Sequence, residues 1–275
     1  MAVNTPESPE PAEPAEPAEP TKSTKPPEPT EPPVVAPAPA PASESHDAPA
    51  PGRHQEFPIE PTRKVGYRVM RVIFTTVLRV WFRPRVSGRQ NVPATGPVIL
   101  APVHRSFADF GFAAFCTDRK LFFMAKDSLW KNKNLGRLLL YVGAFPVHRE
   151  SADREALQRA EEVLKRGQVL VLFPEGTRRE GPVIEDLMEG AAFLSARTGA
   201  PIVPIGIGAS DLSMPKGSAI PKPYTIEVMI GPALPPPART GGGRVSRSAV
   251  HAATENLVQQ LQAVYDEAKA KTGRY

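Results

Sequence analysis

From Gly96 onward the chain alternates short apolar runs with longer stretches of helical spacing, which is how a largely parallel sheet with crossover helices reads. Five runs predict strands: Pro97–Ala101, Leu121–Ala125, Ala144–Val147, Val169–Phe173 and Ile202–Ile207. Thr225–Ile230, of more alternating character, predicts a sixth. Between them, Ser151–Arg166 places Ala156, Leu157, Ala160, Val163 and Leu164 on one face, a pattern that only helical spacing explains, and Gly167 stops it. Glu189–Arg197 fits a second, shorter helix. The last runs over about 247–271, with Val250, Ala253, Leu257, Leu261, Val264 and Ala268 at gaps of three and four. The expected fold is α/β, a mostly parallel sheet flanked by helices.

Ahead of this body, residues 54–84 read as a basic amphipathic helix. At about 100° per residue, Lys64, Arg68, Arg71, Arg79 and Arg83 fall within roughly 120° of one another. Val69, Met70, Ile73, Phe74, Val77, Val80 and Trp81 fill the opposite side. The longest uncharged run, Val72–Leu78, has seven residues, whereas a bilayer crossing needs about 20. Such a helix either docks on an anionic membrane surface without crossing it or packs its apolar side on the protein core. Nucleic acid fits it less well and is not expected as a partner. Pro84 ends the segment in either case.

Composition separates a tail from the body. Of 34 prolines, 16 fall in residues 1–51, together with nine acidic residues and only Lys22 and Lys25. That stretch carries −7, which leaves +12 on the remaining 224 residues of a chain whose total is +5. Residues 1–53 are therefore expected to be a disordered tail rich in Pro, Glu and Ala, and residues 85–275 a single domain. A single cysteine, Cys116, excludes an intrachain disulfide framework and any multi-cysteine metal site, and suits a reducing compartment. The first 60 residues hold no apolar stretch of the length an export signal needs.

The polar residues that could do chemistry follow strands. Pro97–Val103 breaks into His104, Arg105, Ser106, Phe107, Ala108 and Asp109, which presents an imidazole and a carboxylate at a strand's carboxyl end. In open α/β sheets that edge is where ligands bind. A carboxylate on one ring nitrogen fixes the tautomer and leaves the other nitrogen to take a proton. Ser106 and Asp109, three apart, also match a helix capping pair, so the aspartate could serve only the backbone. A second cluster, Phe173 to Arg179, joins a tight Pro-Glu-Gly turn to two arginines, whose planar forks suit phosphate. A third, Gly143 to Arg149, delivers another arginine to the same edge.

In order and spacing these three clusters resemble the glycerolipid acyltransferase family, which includes lysophosphatidic acid and glycerol-3-phosphate acyltransferases. The resemblance covers roughly residues 91–232: HxxxxD at His104–Asp109, a glycine-led block ending in arginine at Gly143–Arg149, FPEGTR at Phe173–Arg178, and a proline-containing apolar strand at Ile202–Ile205. It implies that His104 is the general base and Asp109 its orienting partner. It also implies that Arg149, Glu175, Gly176, Thr177 and Arg178 hold the phosphate and glycerol of the acceptor, and that Pro204 lines the wall near the acyl donor. Val103 stands where many members have asparagine, Pro146 where phenylalanine is frequent, His148 where an acid is, and Met188 with Glu189 where a lysine is common. These differences bear on substrate choice more than on reaction type.

The expected activity is acyl transfer from acyl-CoA or acyl carrier protein to the free hydroxyl of 1-acylglycerol-3-phosphate. Another lysophospholipid or glycerol 3-phosphate is the alternative acceptor, and a non-catalytic lipid-binding module the alternative class. A thioester is already activated, so no cofactor and no metal are expected. The expected place is the cytoplasmic face of the cell membrane, held peripherally. A hydrolase elbow is absent, since Gly208–Leu212 fails GxSxG at its last position. Cys116, within an apolar run, reads as a core thiol rather than a nucleophile.

Overall fold

The computed structural model describes residues 64–147, 154–215, 218, 220–238 and 245–274, all within one unit spanning His54–Tyr275. The expected tail, residues 1–53, lies outside the described residues, as does the start of the amphipathic segment up to residue 63. Seven strands form one sheet: β1 Arg85–Ser87, β2 Val98–Pro102, β3 Leu121–Lys126, β4 Ala144–Val147, β5 Val169–Val171, β6 Ile202–Gly208 and β7 Glu227–Ile230. Their order across the sheet is β1-β7-β6-β2-β5-β3-β4. Every pairing is parallel except β6 with β7. The helices of more than one turn are α1 Lys64–Phe82, α3 Lys133–Tyr141, α4 Arg154–Lys165, α5 Gly190–Thr198 and α7 Arg247–Thr272; two single turns are α2 Asp109–Phe112 and α6 Ser210–Ser213.

Strands buried on both faces need no polar alternation, which is why their sequences are continuous apolar runs. Along β2, Val98 and Leu100 join the core beneath α7, whereas Ile99 and Ala101 join the core beneath α4 and α5. In β5, Val169 and Val171 divide from Leu170 in the same way. The first core gathers Leu261, Val264, Tyr265 and Ala268 of α7 with Leu78 and Phe82 of α1; the second gathers Ala160, Val163 and Leu164 of α4 with Ala191 and Leu194 of α5. Gly206 and Gly208 of β6 let α7 lie directly on the sheet: a Cβ at Gly206 would stand 2.2 Å from the Val264 carbonyl oxygen, and one at Gly208 would stand 2.5 Å from that of Ala268.

The six expected strands are present, although the fourth of them, expected over Val169–Phe173, stops at Val171. The structure adds β1, a three-residue edge strand, and α3, neither of which the apolar pattern announced. Residues 151–153, expected to open the first long helix, lie outside the described residues; the helix runs on to Lys165, and Gly167 follows at φ +69°.

The first helix differs most from its expected setting. Arg71, assigned to a free basic stripe, is tied to main-chain oxygens: its guanidinium donates to Arg119 O and Ala114 O, each at 2.7 Å, and to Thr117 O. Leu78 and Phe82 face the core on the same side, and the Phe82 ring meets Phe112 edge-on at 5.3 Å. The opposite face stays in solvent. Val65, Val69, Val72, Ile73, Val77 and Val80 are each more than half exposed, from 54% to 74%. Among the described side chains of the basic stripe Arg71 alone turns toward the protein, beside Leu78 and Phe82, whereas Arg68, Arg79 and Arg83 stay exposed and the aliphatic face points away. Among the described residues no helix is long and apolar enough to cross a membrane.

Candidate active site

The site forms where two neighbouring central strands end. After β2, Val103 N–H donates to Ile205 O on β6, and the chain then turns away from the sheet. That turn carries His104, whose side chain is 11% exposed and whose ring lies 4.2 Å from that of Phe173, the second residue beyond β5. Asp109, fully buried, opens α2 five residues on. One of its oxygens, Oδ2, lies 3.3 Å from His104 Nδ1 and also accepts from the backbone N–H groups of Arg105 at 2.7 Å and Ser106 at 2.6 Å. Asp109 thus serves the backbone and faces the imidazole at once. The bond from Ser106 N–H closes a turn ahead of α2, whose N-cap is Ala108, while the Ser106 hydroxyl donates to Met214 O and accepts from Ala108 N–H. The same carboxylate oxygen faces the imidazole. An acceptor at Nδ1 selects the tautomer that leaves a lone pair on Nε2.

Glu175 follows β5 and is 2% exposed. Its side chain turns inward: Oε1 accepts from His104 N–H at 3.3 Å, and Oε2 pairs with the Arg105 guanidinium. Burial pushes its carboxyl above the usual glutamate range, against the opposing pull of Arg105. The next residue, Gly176, sits at φ +67°, and a Cβ there would stand 2.4 Å from the sulfur of Met188. Only glycine suits that turn. Thr177 is exposed and Arg178 half-buried, and Arg179 N–H donates to His104 O at 2.9 Å, which ties the FPEGTR turn to the HxxxxD loop.

Pro204 is buried within β6, in register with Ala101 of β2. The pairing of β6 with β7 runs regularly from Gly208↔Glu227 to Ile205↔Ile230 and then slips by one residue to Ile202↔Leu234. A residue without an N–H is placed at such a bulge, where the ladder is already interrupted. Arg149 lies outside the described residues; β4, two residues before it, ends at Val147 on the same sheet edge as β2 and β5.

Two residues that the sequence pattern did not mark hold this arrangement together. Arg105, 3% exposed, pairs with Glu175 and donates Nε to Gly181 O and Nη2 to Val183 O, each at 3.1 Å. Its guanidinium also lies 5.2 Å from the ring centre of Tyr265 on α7. The nearest sequence signal was an arginine inside HxxxxD, but its partners lie 70 or more residues away. Among the described residues no group of three or more His, Cys, Asp or Glu side chains is placed to hold a metal ion.

The mostly parallel sheet thus presents an imidazole, in contact with a buried carboxylate, at the carboxyl edge where open α/β sheets bind ligands. The acyltransferase family model matches residues 83–208. Over 121 residues the chain is 31% identical to a 1-acyl-sn-glycerol-3-phosphate acyltransferase of Bacillus subtilis, covering 44% of this chain and 60% of that protein. Over 159 residues it is 25% identical to the chloroplastic 1-acyl-sn-glycerol-3-phosphate acyltransferase BAT2 of Brassica napus, covering 57% and 46% respectively. The chain thus spans about half the length of the curated relatives it matches. The fold is that of the 1-acyl-sn-glycerophosphate acyltransferase PlsC of Thermotoga maritima, with a TM-score of 0.58, 23% identity, and coverage of 72% of this chain and 78% of that one.

Proposed function

We propose that the chain transfers a fatty acyl group from acyl-CoA or acyl carrier protein to the free hydroxyl of 1-acylglycerol-3-phosphate. The observation that carries this reading is the contact of His104 Nδ1 with Asp109 Oδ2, within a domain whose curated relatives bear that activity's name. His104 Nε2 takes the proton of the acceptor hydroxyl as its oxygen attacks the thioester carbonyl. The tetrahedral oxyanion then collapses, the C–S bond breaks, and the imidazolium returns its proton to the departing thiolate. Asp109 keeps the ring in one tautomer and stabilises the imidazolium. The thioester supplies the activation, so the reaction needs neither a nucleophile on the enzyme nor a cofactor.

Acceptor phosphate and glycerol are assigned to Arg149, Gly176, Thr177 and Arg178, with Glu175 acting from beneath as a positioning residue for the His104 loop. Pro204 is assigned to the wall beside the acyl donor. The apolar face of α1 lies on the membrane surface from which the lysolipid is drawn, in the peripheral manner expected of a helix that does not cross. A labelled acyl-CoA assay over lysophospholipids and glycerol 3-phosphate tests the acceptor. His104→Ala is expected to lower turnover by about 10²–10⁴ with folding unchanged, and unaltered turnover would remove the base.

A further inference from the structure

Between α1 and the segment that follows α2 lies a cleft of about 510 Å³, a volume within the range of small-ligand sites. Three guanidinium groups line it, those of Arg71, Arg79 and Arg89, against the single carboxylate of Asp118, and Thr75 and Thr76 add hydroxyls. Each arginine is held differently. Arg71 is fastened by main-chain carbonyls and so contributes a fixed charge rather than free donors. Arg89 pairs at 2.9 Å with Asp118, whose side chain is 93% exposed, and an exposed pair of this kind is easily exchanged for a stronger anion. The Arg79 guanidinium lies 5.6 Å from the centre of the Phe115 ring and has no hydrogen-bonded side-chain partner among the described residues. Stacked on a ring, a guanidinium keeps its in-plane N–H fork free for a bidentate anion.

We propose that this cleft binds a phosphate group, with Arg79 as the principal donor, Arg89 the second, and Arg71 a fixed charge behind them. Val72 lines the cleft and also belongs to the exposed apolar face of α1. A membrane phospholipid could therefore set its phosphate in the cleft with its chains beside that face; free phosphate offers the same chemistry without the chains. The site is separate from the His104 edge and stands whether or not the catalytic reading does. Its lipid form rests on the proposed membrane placement of α1.

The test uses the full chain and its Arg79→Gln and Arg89→Gln variants, with thermal unfolding to establish that each is folded. Sedimentation compares vesicles of phosphatidylcholine alone with vesicles containing one-fifth phosphatidic acid, and titration with inorganic phosphate supplies the soluble arm. Arg79→Gln is expected to reduce binding to the anionic vesicles about fivefold, most at low salt, while binding to neutral vesicles stays unchanged. Arg89→Gln is expected to act in the same direction. Loss of inorganic phosphate binding in Arg79→Gln, with no preference for anionic vesicles in the parent, identifies free phosphate as the occupant. Parent-like behaviour of both variants in both arms overturns the site. Failure of the parent to bind either vesicle, with Arg79-dependent phosphate binding retained, overturns only the placement of α1 on a membrane.

Discussion

The loop that follows β2 and the helix α1 depart from the ordinary partition of residues in opposite directions. The loop buries Arg105 and Asp109 against Glu175 of the neighbouring turn after β5, and each of the three has partners. The helix exposes six aliphatic residues on one face and covers none of them. Buried charge is costly unless it is paired and hydrogen-bonded, and here Arg105 meets Glu175 while Asp109 Oδ2 meets His104 and two backbone N–H groups, with Asp109 Oδ1 left buried without a hydrogen bond. Exposed aliphatic surface costs little in the folded monomer but leaves a demand that only another apolar phase meets. One region is completed inside the protein and the other presents its apolar face to solvent.

The sharpest way to break this contrast is Arg105→Met, which strands the Glu175 carboxylate in the core and is expected to cost about 3–5 kcal/mol in urea unfolding. Replacing both, as Arg105→Met with Glu175→Leu, should recover most of that loss but not turnover, because His104 N–H loses its acceptor. A double variant no more stable than Arg105→Met would show that the pair is not the unit described.

Next in size is the helix face. Val77→Ser with Val80→Ser should leave stability within about 0.5 kcal/mol, since both residues are solvent-exposed, yet lower sedimentation with neutral and anionic vesicles alike. A large fall in stability would instead place that face against protein.

Cys116, 1% exposed, lies at the seam between the two regions, and burial pushes its thiol up from 9.0 to about 12. At pH 8 a thiol reagent should label it only as fast as the protein opens. The raised value also sets a sign: the contribution to stability is full below the unfolded value of 9.0 and is lost as pH rises toward about 12. Rapid labelling of the folded protein would place Cys116 at a solvent-reached surface.

What could be read from the sequence follows the same division. The six strands were legible because burial on both faces leaves an unbroken apolar run, and the His104–Asp109 pair because both residues sit in one local turn after a strand. Strand β1 was not, since Arg85–Ser87 is three residues at the sheet edge with no apolar run. Helix α3 was masked by its polar residues and by Gly136, where a Cβ would meet Trp130 at 2.8 Å. The amphipathicity of α1 was plain, but a helical wheel does not say which face the fold covers. That choice was made by Arg71 meeting the carbonyls of residues 114, 117 and 119, which are polar in every sequence and so leave no trace in it. Arg105 and Glu175 meet across 70 residues, a distance no local pattern spans.

The stacking of Arg105 on Tyr265 has a consequence during synthesis. The loop bearing the imidazole leaves the ribosome 160 residues before the aromatic ring that seats its guanidinium, and α7 must then settle onto the two glycines of β6. A half-made chain can pair its first strands, but its reactive edge stays unfinished until that late helix closes over it.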